Sequence, residues 1–131
     1  MKFAVLGARI VLGLIFFVFG LNGFLNFLPA PEMSGEAGAF IGALAATGYM
    51  FPLIKIVEVV AGALLLGGVL VPFALTILAP ITINIVAFHV VLEPSGLPIA
   101  IAVLVLNVFL AWAYRGSYAG VLQVKATPTA G

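Results

Sequence analysis

Four long apolar runs alternate with short breaks in which prolines, glycines and charged residues collect. The runs cover residues 2–28, 49–71, 72–92 and 98–114, each close to the roughly 20 residues an α-helix needs to cross a bilayer. No stretch shows the alternating pattern of a strand. The pattern predicts an all-α fold, an integral membrane four-helix bundle. In the second run, Phe51, Lys55, Glu58, Gly62 and Leu65 recur at steps of four and three residues, which on a helix is a single stripe. A charged side chain inside a bilayer is costly and turns toward protein or a wet cavity, so this stripe reads as the inward face of the bundle. In the first run Arg9, Gly13, Phe16, Gly20 and Gly23 form a comparable stripe, which offers small residues to a neighbouring helix.

The breaks carry the rest of the plan. Pro29 and Pro31 stop the first helix. Ser34, Gly35 and Glu36 open a short helix over 37–47, too short and too rich in small residues to span. It reads as an interfacial or re-entrant segment between the first two spanning helices, with a plain loop as the alternative. Gly67, Gly68 and Pro72 leave room only for a tight turn, and Pro72 suits the first turn of the helix that follows. Pro80 lies inside the third run and predicts a kink. Residues 93–98 form a turn by composition. Trp112, Tyr114 and Arg115 close the fourth run with the aromatic and basic edge typical of a membrane interface. The organisation is thus a transmembrane domain over 1–122 and a short disordered tail over 123–131. A signal peptide is the competing reading of the first run, with Lys2 and Arg9 ahead of an apolar core, but residues 28–30 make a poor cleavage site.

Composition sharpens this picture. The chain is 65% hydrophobic and 7% charged, against roughly a quarter charged in soluble domains. A net charge of +1 with five basic residues gives no clustered basic face for nucleic acid. The absence of cysteine removes thiol chemistry and iron–sulfur ligation from the chain itself. Four spans put both termini on one side, with Lys2, Arg9, Arg115 and Lys125 there and Glu32, Glu36 and Glu93 at the other. Basic flanks favour the cytoplasm, so the expected setting is a cell or inner membrane with both termini cytoplasmic.

Depth along the helices then selects candidate site residues. Lys55 falls in the outer third of its span and Glu58 near the midplane, three residues apart and within reach of each other. Asn84 and Asn107 fall near mid-depth, and Asn22 and His89 toward the outer end. Lys55, Glu58, Asn84, His89, Asn107 and Asn22 are therefore the candidate lining of a polar pocket, opened by the Pro80 kink one turn before Asn84. Each residue also has a plainer reading. The lysine and glutamate also read as an internal ion pair that fixes helix register, and the asparagines as interhelical hydrogen bonds. His89 with Glu93 makes a proton relay or half a metal site, too few ligands for a metal. No catalytic residue stands out.

Several segments resemble a known family. Arg9-Ile-Val-Leu-Gly13-Leu-Ile-Phe-Phe-Val-Phe-Gly20 resembles the first-helix pattern of DoxX-family membrane proteins, and Glu58-Val-Val-Ala-Gly62-Ala-Leu-Leu-Leu-Gly67 resembles their second-helix motif. Ala79-Pro-Ile-Thr-Ile-Asn84-Ile-Val-Ala-Phe-His89 and Ala111-Trp-Ala-Tyr-Arg115 fit the same branch, and the likeness spans residues 5–122. Many members carry a basic residue after the first-helix glycine, where this chain reads Gly23-Phe-Leu-Asn26. The resemblance implies a four-helix membrane bundle with Arg9, Glu58 and Gly62 as motif residues. It also implies a membrane subunit or accessory of a quinone-linked redox system, with a quinone as ligand and a redox protein or a second copy as partner. The alternative is a non-enzymatic bundle that binds a small ligand, or that anchors or assists another membrane protein.

Overall fold

The computed structural model describes residues 1–29 and 33–129. Pro31 and Glu32, expected at the end of the first helix and on the outer side, lie outside the described residues, as do positions 130 and 131 of the tail. The helices are α1 (Lys2–Leu25), α2 (Gly35–Ala46), α3 (Met50–Gly67), α4 (Val71–Val91) and α5 (Leu97–Ala113). Short 3-10 turns, Pro94–Gly96 and Arg115–Tyr118, flank α5. All but α2 belong to segments long and apolar enough to cross a membrane. The fold is the expected all-α four-helix membrane bundle.

Local chemistry sets the helix ends. α1 stops at Leu25 because Asn26 takes a left-handed conformation, φ 52°, and its N–H bonds the Asn22 carbonyl. Gly68, at φ 69°, ends α3 in the same way. The Val69 N–H reaches back to the Leu64 carbonyl at 3.1 Å, the long bond of a Schellman ending. Leu70 then turns the chain, also at positive φ, and Pro72 sits in the first turn of α4. α2 is a helix rather than a loop, and starts two residues before the predicted position. α4 continues as one helix through Pro80. Residues 119–129 form turns and irregular chain on the exterior.

The bundle closes as a ring in which α1 packs on α3, α3 on α4, α4 on α5 and α5 on α1. The α1–α3 pair is the most extensive, and its glycines explain why. A methyl added at Gly62 would lie 2.6 Å from the Phe17 backbone nitrogen and 2.9 Å from the Gly13 carbonyl oxygen. One at Gly20 would lie 2.9 Å from the Val59 nitrogen. The two backbones therefore touch, which is how helices associate where lipid removes the hydrophobic drive. Gly13 faces Gly62, Gly20 faces Glu58 and Gly23 faces Lys55, so the helices are antiparallel. Hydrogen bonds from Asn107 to Thr82 and from Tyr118 to Pro72 show the same for α4 and α5. The start of α1 and the end of α5 thus share one end of the bundle. Leu12, Phe16, Leu65, Leu75, Leu78 and Leu110 fill the core, while Phe19, Leu53, Ile83 and Val108 point outward toward lipid.

The seam yields a stability prediction. Gly62→Ala should cost about 1–3 kcal/mol, the usual range for overpacking, read as thermal stability in detergent. Gly42→Ala, where an added methyl meets nothing within 4 Å, should be neutral or slightly stabilising. Equal effects of the two substitutions would contradict backbone contact at the seam.

Candidate functional site

A cavity of ≈ 500 Å³ lies between α2, α3 and α4. Most of its wall is apolar: Phe40, Ile41 and Leu44 from α2, Phe51 and Ile54 from α3, and Ile81, Ile85 and Phe88 from α4. α2 forms the roof, where the Phe40 ring packs on Phe88 with centroids 5.6 Å apart. Polar side chains from two helices enter this apolar space, namely Lys55 and Glu58 from α3 and Asn84 and His89 from α4.

Lys55 and Glu58 form an ion pair, Nζ to Oε2 at 3.5 Å. Their side chains are 19% and 7% exposed, so the pair is largely shielded from lipid. Two features hold it. The aliphatic stem of Lys55 runs over Gly23 of α1, and the Glu58 Cβ lies over Gly20, so a larger residue at either glycine would displace the pair. The Lys55 ammonium also sits 5.5 Å from the centroid of the Phe51 ring, within the range of a cation–π contact. An ammonium has three donors, and among the described residues Glu58 is the one carboxylate paired with it. The remaining donors suit a ligand with a hydrogen-bond acceptor at its head.

The other candidates separate by partner. Asn84 is exposed along the cavity, and its Nδ2 donates to the Pro80 carbonyl at 2.9 Å. The carbonyl that Pro80 leaves without a helical donor is that of Thr76, four residues earlier, not one beside Asn84 as the expected kink suggested. His89 lines the cavity, but its Nδ1–H donates to the Glu93 backbone carbonyl at 3.0 Å. The Glu93 carboxylate instead accepts from Ser95 Oγ at 2.6 Å. The expected pairing of the two side chains fails because α4 ends at Val91, which puts Glu93 beyond the helix and off its i,i+4 geometry. Asn107 is buried, donates to Thr82 Oγ1 at 3.2 Å and ties α5 to α4. Asn22 sits near the end of α1, where its Oδ1 accepts from the Leu28 N–H at 2.7 Å. Neither Asn107 nor Asn22 lines the cavity.

The motif residues lie along the α1–α3 seam. Gly62 marks the close crossing, Glu58 lies one turn away, and Arg9 reaches the far end against Gly68. There the guanidinium meets the C-terminus of α3, the negative end of the helix dipole. Sequence reasoning missed the part played by Phe40, Phe88 and the α2 roof. The one usable signal was a lone aromatic, Phe40, beside Ile41 and Leu44 in a segment otherwise rich in glycine and alanine. No family model, curated protein or solved structure matches the chain, so the reading of the site rests on its geometry.

The pair can be tested through stability. Lys55→Met or Glu58→Gln alone should cost about 3–5 kcal/mol, since each strands a buried partner. The double replacement Lys55→Met, Glu58→Gln should recover most of that loss. Additive losses in detergent melting curves would show that the two groups act independently.

Proposed function

We propose that this chain is a membrane-embedded binding protein for a small lipophilic molecule with a hydrogen-bond-accepting head. The observation that carries the reading is the ≈ 500 Å³ apolar cavity ending on the Lys55–Glu58 pair. Its size falls within the roughly 300–1,000 Å³ of small-molecule sites, which are apolar with a few placed polar groups. Aromatic rings of Phe40, Phe51 and Phe88 line it, and they suit a planar head. A quinone has this chemistry, and the DoxX resemblance points to the same ligand. On that reading the protein is the membrane partner of a quinone-linked redox system, and electrons pass through the quinone and a companion protein. A second reading follows from the pair itself: Lys55 and Glu58 satisfy each other, which suits a purely structural bundle that anchors a partner.

Solvent extraction of purified protein followed by mass spectrometry separates the two. The ligand reading expects a near-stoichiometric quinone in the native chain, reduced several-fold by Lys55→Met and absent from Ile85→Trp, which fills the cavity. A native chain with no more lipophilic compound than the filled variant would leave the structural bundle.

We also propose that both termini are cytoplasmic, in a cell or inner membrane. The support is that Lys2, Arg9 and Arg115 mark the end of the bundle that carries the termini, with Lys125 in the tail beyond it, and basic flanks set orientation. Reporter fusions at both ends should register the cytoplasm; an external signal from either end would reverse the orientation.

A further inference from the structure

A second groove, of ≈ 690 Å³, lies at the opposite end of the bundle from the first cavity. It runs between the first turns of α4, the last turns of α5 and the segment that follows α5. Phe73, Ala111 and Leu122 give it an apolar lining, and Arg115 lies at its edge.

Three observations define what fits there. Arg115 is held in place: Nη1 donates to the Trp112 carbonyl at 2.9 Å, and the guanidinium carbon stacks 4.6 Å from the centroid of the Trp112 ring. A guanidinium has five N–H donors, so most of its capacity faces outward. Its charge also has no ion-pair partner among the described residues. Among the described residues Lys55–Glu58 is the one ion pair, and Glu93 belongs to the other end of α4 and α5. Finally, the groove has a fixed wall. The Tyr118 hydroxyl donates to the Pro72 carbonyl at 2.8 Å and straps the segment after α5 onto α4. Trp112, Tyr114 and Tyr118 cluster at this level, the depth at which amphipathic aromatics meet the headgroups.

We propose that this groove binds one anionic phospholipid, with an acyl chain along the apolar wall and the phosphate on Arg115. The geometry separates the two halves of such a molecule as the groove does: an apolar channel facing the hydrocarbon, and a fixed cation at headgroup depth. Anionic headgroups are attracted by basic residues at the membrane surface, and guanidinium pairs well with phosphate oxygens. The site is independent of whatever occupies the first cavity.

The test is native mass spectrometry of the delipidated full chain in micelles doped with equal phosphatidylglycerol and phosphatidylcholine. The expected result is retention of one phosphatidylglycerol, favoured about five-fold over phosphatidylcholine, the worth of one basic residue near an anionic surface. Arg115→Gln should remove the preference and Arg115→Lys should keep part of it. Ala111→Trp, which fills the groove, should lose both lipids, while a Lys125→Gln control should behave as the native chain. Inorganic phosphate at matched concentration should fail to displace the lipid, because the acyl chain contributes to binding. Circular dichroism and elution profiles identify folded variants, and Arg115→Lys with Ala111→Trp carry the test if Arg115→Gln misfolds. Equal retention of the two lipids, an unchanged preference in Arg115→Gln, lipid retention in Ala111→Trp, or displacement by inorganic phosphate would each overturn the proposal.

Discussion

Backbone contact between α1 and α3 is the constraint on which the rest of the molecule depends. Lipid supplies no hydrophobic drive for helices to associate, so the bundle uses close approach. Gly13 and Gly62 bring the two chains together at one level, and Gly20 and Gly23 continue the seam past Glu58 and Lys55. The same glycines that allow contact also leave the volume occupied by the polar pair. Close packing and the burial of charge are therefore one feature of sequence. With α3 fixed in rotation against α1, Glu58 is turned inward, and the other side of α3 is left to meet α4 and the α2 roof.

The polar groups within the bundle follow a division of labour. Asn107 and Thr82 bond across helices and fix α5 to α4. Asn22 and His89 serve chain ends, accepting from the Leu28 N–H and donating to the Glu93 carbonyl. Asn84 donates within its own helix, to Pro80. Among the described residues only Lys55 and Glu58 combine charge, burial and a cavity wall. A group satisfied by its own helix or loop is structural at little cost, whereas a buried charge pair has to be offset by its surroundings. That contrast directs attention to the α3 pair.

Much of the fold was legible because the bilayer leaves few options. Long apolar runs have to be helices, and the glycine stripes of the first two runs identified the faces that meet. The Lys55–Glu58 pair was equally readable, since a three-residue spacing fixes the relation of two side chains on one helix. The asparagines were less so. Depth placed Asn22, Asn84 and Asn107 near a common pocket, yet a helix turns about 100° per residue, and depth says nothing about direction. His89 shows a related limit: a break at Val91 removed the partner that regular spacing assigned. The roof was hidden for another reason. α2 carries no strong polar face, so its position comes from Phe40 meeting Phe88, a contact between residues far apart in the chain.

The location of both charges on one helix has a consequence for biogenesis. A charged side chain at the centre of an inserting segment costs about 2.5–3.5 kcal/mol on translocon scales, and Glu58 lies near that depth with Lys55 within one turn of it. A partner on another helix would offset that only after both had entered the bilayer and docked. Lys55 and Glu58 lie on the same turn of α3, so they meet as soon as that turn winds, without waiting for α4 or α5. Three residues, 68–70, join α3 to α4, and the two helices are short enough of linker to enter as a hairpin. The translocon thus receives a segment whose charges are neutralised in advance, and the ordering of synthesis imposes no waiting state in which a naked ion faces lipid.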